Sequence, residues 1–215
     1  MRKYFFVKIT GLLALLLLLR LTTYAQPGAF LLLEQQRIGL EPLGKYTPDE
    51  WNTLLKSPGL GAGAGFCLQK KLLRNWHFRP AIGLSTLRNT LYWPDAPAEV
   101  YRFTDLELPL HLLYFQEHTR YKAQGIVIAG IRTSYNFSRS ESANLRFRQG
   151  RIGADLGLGI ALPFKEKWRL HIEVLYSHGL NDIHDFQFLN YDEKVGRGVR
   201  DRLGIRFVFY ALNRH

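Results

Sequence analysis

Trp168-Arg169-Leu170-His171-Ile172-Glu173-Val174-Leu175-Tyr176-Ser177 decides the fold. Trp168, Leu170, Ile172, Val174 and Tyr176 fall on one face, and Arg169, His171, Glu173 and Ser177 on the other. That period of two is the signature of a strand with one apolar and one polar side. The same alternation runs outward along the chain. Over 200–210, Leu203, Ile205, Phe207 and Phe209 oppose Arg200, Arg202, Gly204 and Arg206; over 105–114, Leu106, Leu108, Leu110, Leu112 and Tyr114 oppose Asp105, Glu107, Pro109 and His111. Over 151–162, Ile152, Ala154, Leu156, Leu158, Ile160 and Leu162 oppose Arg151, Gly153, Asp155, Gly157 and Gly159. Weaker versions occupy about 60–71, 76–90 and 120–135, and the least regular strand is expected over about 29–41.

Eight strands follow, joined by connections of two kinds. Tight links are expected at about 72–75, 116–119 and 165–167, and longer ones at about 42–58, 92–99, 136–149 and 181–197. Short turns at one end and long loops at the other suit a membrane barrel, whereas a soluble sandwich has no reason to sort its loops. The rings follow the same division. Trp76, Phe78, Tyr114, Tyr121, Phe164, Trp168, Phe207 and Phe209 lie at the short-turn ends; Tyr92, Trp93, Tyr101, Phe103, Tyr135, Phe137 and Tyr176 lie at the long-loop ends. Amphipathic rings favour the headgroup level, so a spanning strand carries them at both ends and aliphatic residues between.

The chain has 215 residues, 47% of them apolar, with 14 Phe, 11 Tyr, four Trp, 19 Gly and one Cys. One domain suits that length, and a lone Cys excludes an internal disulfide framework and a CxxC metal or redox site. Residues 1–25 have the parts of a secretory signal: Arg2, Lys3 and Lys8 at the start, the greasy run Leu12 to Leu19, and Thr23-Tyr24-Ala25 before the expected cut at Gln26. From Gly11 the apolar run lasts nine residues before Arg20 ends it, too short for a helix that needs about 20 to span. The formal charge is +11; without Arg2, Lys3, Lys8 and Arg20 it is +7, dispersed along the chain. Dispersed charge, export and the lack of any reader motif exclude nucleic acid as a partner.

The last strand carries a further signal. Arg202-Leu203-Gly204-Ile205-Arg206-Phe207-Val208-Phe209 resembles the C-terminal β-signal by which the outer-membrane assembly machinery recognises its clients, with Gly204, Phe207 and Phe209 at the diagnostic positions. Six residues, 210–215, trail beyond it.

An eight-stranded barrel has a bore just wide enough for side chains. The polar faces would line it with His77, Arg79, Glu107, His111, Lys122, Arg132, Arg151, Asp155, Arg169, His171, Glu173, Arg202 and Arg206. Opposite charges facing one another in so narrow a space are expected to pair, because an unpaired buried charge is costly. A salt-bridged structural plug is therefore favoured over an ion or proton path. Gly61, Gly63, Gly65, Gly153, Gly157 and Gly159 are expected to make room for the long arginines or to let strands bend.

Ser177-His178-Gly179-Leu180-Asn181-Asp182-Ile183-His184-Asp185 is the densest polar cluster, and His178, Asp182, His184 and Asp185 could bind a divalent metal or form a His/Asp pair. It lacks any HExxH or GxSxG spacing, and water-facing loop residues explain it without catalysis. The basic, Ser-rich loop 136–149 offers a contact for anionic lipopolysaccharide, the plainer reading being a solvated loop. Cys67, in register with Gly63 and Gly65, reads as a small wall residue. No cofactor is expected.

Four stretches together resemble a known family. Glu107-Leu-Pro-Leu-His111-Leu-Leu-Tyr-Phe115 is similar to a strand of PorT-like outer-membrane β-barrel proteins, and Gly125-Ile-Val-Ile-Ala-Gly-Ile-Arg-Thr-Ser-Tyr135-Asn-Phe resembles the strand after it. Gly153-Ala-Asp-Leu-Gly-Leu-Gly159 and Leu170-His-Ile-Glu-Val-Leu-Tyr-Ser-His-Gly-Leu-Asn181 resemble a further pair. The likeness covers about 105–181 and the terminal strand. It implies an outer-membrane barrel of about eight strands, and for some members an accessory role in type IX secretion and gliding. It implies no catalytic residue.

The expectation is thus an all-β protein: a signal peptide over 1–25, then an eight-stranded antiparallel up-and-down transmembrane barrel over 26–215. It would reside in the outer membrane with its termini in the periplasm. Its partners would be outer-membrane lipid, the assembly machinery during insertion, and secretion or other envelope proteins. Two other functions compete with this one: an envelope enzyme acting on lipid or peptide near 177–185, and a soluble lipocalin-like barrel with the apolar faces inside.

Overall fold

The computed structural model describes residues 25–42, 59–93, 96–116, 123–137, 145–147, 150–164, 168–180, 184–186 and 196–211. They form ten strands: β1 (Gln26–Pro42), β2 (Gly59–Lys71), β3 (Trp76–Trp93), β4 (Ala96–Gln116), β5 (Gln124–Asn136), β6 (Leu145–Phe147), β7 (Gly150–Phe164), β8 (Trp168–Gly179), β9 (His184–Phe186) and β10 (Gly196–Ala211). Eight of them pair antiparallel in the order β1-β2-β3-β4-β5-β7-β8-β10. The ladder between β1 and β10, from Gly28↔Tyr210 to Pro42↔Gly196, closes the sheet into a barrel. No edge is left along the wall, as a structure surrounded by lipid requires.

The pleat has the orientation that the alternation predicts. Leu108 and Leu158 face outward and are exposed, and Ile172 lies on the same outward face, partly covered. Arg206, Glu173 and Asp155 are buried within. A lipocalin-like arrangement is the reverse of this. Trp76 and Tyr114, with ring centroids 5.1 Å apart, mark the short-turn end, and the Tyr135–Phe137 pair, also at 5.1 Å, marks the long-loop end. Among the described residues no helix is long and apolar enough to cross a membrane.

The structure departs from the sequence reading in several places. Within the connection expected over 92–99, residues 92–93 and 96–99 are strand: β3 and β4 stay paired as far as Trp93↔Ala96, with an irregularity between Leu91 and Trp93. They form a hairpin of 18- and 21-residue strands, longer than the roughly 9–11 residues a crossing needs, so it projects beyond the membrane. The loops expected over 136–149 and 181–197 contain β6 and β9, which pair with each other, and Asp185 of β9 pairs with Arg197 of β10.

Phe103, placed with the outer rings on sequence grounds, is buried in the bore. Its odd position on β4 puts it on the face of Asp105 and Glu107, and the Arg200 guanidinium lies over its ring at 5.2 Å. The interior glycines do not make room for arginines. A Cβ at Gly65 would meet the Phe30 ring at 2.7 Å, one at Gly157 would meet Leu175 at 2.6 Å, and one at Gly159 would meet the Glu173 side chain at 3.0 Å. The bore is also less polar than expected. Leu113, Phe115, Ile126, Ile128, Ala161 and Leu175 form one buried apolar cluster, and Phe30, Leu32, Cys67, Val208 and Tyr210 form another.

The expected signal over 1–25 lies outside the described residues apart from Ala25, as do Tyr121, Lys122, Asp182 and the side chains of Tyr92, Trp93, Tyr101, His184 and Asp185.

Candidate functional site

Among the described residues, the bore is where the fold buries ionisable side chains together. Strand alternation sends every second side chain inward from eight directions, so residues far apart in sequence meet at one level. Two connected groups result.

The lower group is built on Glu173 of β8. Arg79 of β3 donates to both of its carboxylate oxygens, Nη1 to Oε1 at 2.5 Å and Nη2 to Oε2 at 2.9 Å. Arg206 of β10 approaches Oε2 through Nε at 2.8 Å and Nη2 at 2.6 Å. One carboxylate therefore holds two guanidiniums. Arg206 also reaches His111 Nδ1 at 3.2 Å. A guanidinium can only donate, so the His111 proton resides on Nε2 and is donated to Asp155 Oδ2 at 2.7 Å. His171 lies between the rings of Tyr210 (4.6 Å) and Phe115 (5.6 Å), with Nδ1 3.6 Å from Glu173.

The upper group is linked to the lower through Arg132, which donates from Nε to Asp155 and from Nη1 to Glu107, both at 3.1 Å. Ser85 also donates to Glu107, at 2.8 Å. Arg202 reaches Glu107, Asp105 (2.9 Å) and Glu34 (3.4 Å). Asp105 in turn receives Arg200 at 2.8 Å and Arg151. Between this group and the long-loop end lies a cavity of about 40 Å³ bordered by Arg132, Ser134, Arg151, Ser177, Arg200 and Arg202, enough for a few water molecules and not for a substrate.

Most residues named from the sequence meet here: Arg79, Glu107, His111, Arg132, Asp155, His171, Glu173, Arg202 and Arg206, with Arg151. Arg169 does not. It is only partly buried, at the start of β8 next to Trp168, and the nearest inward carboxylate along its strand, Glu173, is already held by two arginines. His77 is also outside the network, bonded to Gln69 at 3.1 Å and packed on Phe115 at 4.6 Å. Asp105 and Arg200 fall on the polar faces read from the alternation, and the structure adds them to the network. Glu34, Gln36 and Ser85 carry no comparable signal: Glu34 follows Phe30-Leu31-Leu32-Leu33, where both faces are apolar.

Ser177, His111 and Asp155 are in contact, but not in a nucleophile-base arrangement. Ser177 and His111 each bond to Asp155 instead of to one another, so the hydroxyl donates to a carboxylate already engaged by Arg132 and not to an imidazole base. His178 faces outward and bonds to Asp201 at 2.7 Å. Among the described residues no three His, Cys, Asp or Glu side chains are placed to share a metal ion.

A closed antiparallel wall, apolar outside and ion-paired within, defines an integral outer-membrane β-barrel. The chain belongs to the outer membrane protein beta-barrel domain family, whose model matches residues 37–185. Among solved structures it is similar to the outer membrane protein OprG from Pseudomonas aeruginosa, at 10% identity with a TM-score of 0.56, covering 90% of this chain and 99% of that one. It is also similar to AlkL (12% identity, TM-score 0.48, covering 90% and 93%) and to Neisserial surface protein A (12% identity, TM-score 0.43, covering 83% and 95%). At these identities the likeness to OprG bears on the fold alone. No curated protein matches the chain.

Proposed function

We propose that the protein is a non-enzymatic, PorT-like component of the outer membrane, with its long loops at the cell exterior and its termini in the periplasm. The observation that carries this reading is the filled bore. Arg79, Glu173, Arg206, His111 and Asp155 are buried and bonded to one another, and the apolar clusters occupy space that a pore would leave open. Such a network acts as a structural plug, not as a conduit or a catalytic centre. Gly204, Phe207 and Phe209 serve as the assembly signal. A sealed barrel acts through what its rims present, and the projecting β3–β4 hairpin is suited to contact with other envelope proteins, those of a type IX secretion apparatus in particular.

Deleting the gene and comparing proteins in the culture supernatant tests the secretion role. Loss of secreted proteins while the outer membrane stays intact is expected, and an unchanged set of secreted proteins removes that role.

A further inference from the structure

The outward face holds a pair of like charges with no carboxylate beside it among the described side chains. Arg88 of β3 and Arg102 of β4 are direct cross-strand partners, and both are exposed. Like charges directly opposite one another on a sheet are destabilising. Of the carboxylates whose side chains are described, Glu34, Asp105, Glu107, Asp155 and Glu173 are buried in the bore, and Asp201 lies on the outer face. Asp201 is on β10, bonded to His178, and its register partner on β1 is Arg37. Among the described side chains, then, no carboxylate lies beside Arg88 or Arg102.

Their height on the wall identifies what does. On β4 the outward residues Leu112, Leu110, Leu108 and Leu106 form the apolar band, followed by Thr104 and then Arg102; on β3, Ile82 and Leu84 are followed by Thr86 and then Arg88. Arg88 is twelve residues beyond Trp76 of the short-turn belt, about 40 Å along the strand and, with the tilt of barrel strands, about 30 Å in height, against an apolar band about 25 Å tall. The pair therefore sits just above the hydrocarbon, at the headgroups of the leaflet on the long-loop side. Leu60, Ala62, Thr86, Arg88, Arg102 and Thr104 line a recess of about 580 Å³ there, with Leu60 level with the two arginines and Ala62 and the two threonines one step below.

We propose that Arg88 and Arg102 together bind the phosphate of a phosphorylated glycolipid of the outer leaflet, with its acyl chains against Leu84 and Leu106 below. Guanidiniums present planar, paired donors to phosphate oxygens, and one phosphate between them relieves the repulsion that the sheet imposes. The proposal rests on the long-loop end facing the outer leaflet. Its test does not, because it is made on the purified barrel.

The full mature barrel, folded in detergent micelles, is titrated with lipopolysaccharide lipid A and examined by native mass spectrometry, with heat-modifiable gel migration confirming that each variant is folded. Wild type and R88K/R102K should retain a bound glycolipid, and R88Q/R102Q should lose it, as should wild type offered dephosphorylated lipid A. R37Q, on the β1 side of the wall, should bind as wild type does. Millimolar inorganic phosphate should not displace the glycolipid. Equal binding by R88Q/R102Q, equal binding of the dephosphorylated lipid, or displacement by free phosphate would each overturn the proposal. Should R88Q/R102Q fail to fold, the dephosphorylated lipid and the single variant R102Q decide the matter. Surface labelling of the long loops on intact cells tests the orientation separately.

Discussion

Arg79 and Glu173 meet across the bore through two parallel bonds, 2.5 and 2.9 Å long, with neither side chain exposed to solvent. They lie 94 residues apart in sequence, on β3 and β8, so the contact joins strands that are not neighbours in the wall. Arg206 shares the same carboxylate, which makes Glu173 the counter-charge for two cations.

Replacing Glu173 with Gln keeps the shape and removes that counter-charge. Breaking a buried ion pair from one side costs about 3–5 kcal/mol, whereas replacing the whole group with apolar residues of similar volume is close to neutral. E173Q should lower the urea midpoint of the refolded barrel accordingly. The triple variant R79M/E173M/R206M should return most of the loss. If both unfold alike, the network does not act as a unit.

Leu158 on β7 faces outward between Val127 and Val174, and is 65% exposed. It stands in the middle of the apolar band, where an arginine on the lipid face costs about 2–4 kcal/mol, against about 0–1 near the interfaces. L158R should destabilise the barrel in phospholipid bilayers, and T86R, nearer the headgroups, should do so far less. Equal effects of the two would contradict the assigned depth.

Phe30 is clamped between Gly65 and Gly83, and a Cβ at Gly83 would stand 2.6 Å from its ring. G83A should cost about 1–3 kcal/mol by overpacking. F30L in the same chain should recover part of that loss, and unfolding curves of the single and double variants measure the coupling. The recovery is expected to be incomplete, because the same Cβ would also stand 2.9 Å from the Ala64 carbonyl oxygen.

Cys67 is buried in the bore with its sulfur 3.5 Å from the Tyr210 hydroxyl. A polar maleimide should leave the folded barrel unmodified and label it fully in denaturant, as mass spectrometry reports directly. Rapid labelling of the folded form would mean that the bore is open at that level.

What the sequence disclosed follows from where the pleat separates lipid from charge. Around Asp105, Glu107 and His111, or Arg202 and Arg206, the inward residues other than Pro109 and Gly204 are ionisable and each outward one is apolar, so the alternation can be read directly. Toward the short-turn end the bore is filled by Leu113, Phe115, Ile126 and Ile128; both faces are then apolar and the period vanishes. The same effect masks β1, where Phe30 and Leu32 point inward and Glu34 is the first charge to break the run. The β3–β4 hairpin was hidden for another reason. Pro94-Asp95-Ala96-Pro97 has loop composition, yet two long strands already paired below it carry their ladder as far as Trp93. Which carboxylate meets which arginine depends on register around a closed wall, and no local pattern contains it.

The final strand supplies Arg200, Arg202 and Arg206, and each of them holds a carboxylate from an earlier part of the chain: Asp105, Glu107 and Glu34, or Glu173. Before β10 is in place, three buried arginines face five buried carboxylates, and the nascent interior is a net anion. Seating β10 joins the wall's two edges and removes that anionic excess in a single event, leaving six arginines against five carboxylates. A chain halted short of residue 196 would carry its acids uncompensated toward a hydrocarbon phase that rejects them, so the order of synthesis is itself a guard against half-built barrels entering the membrane.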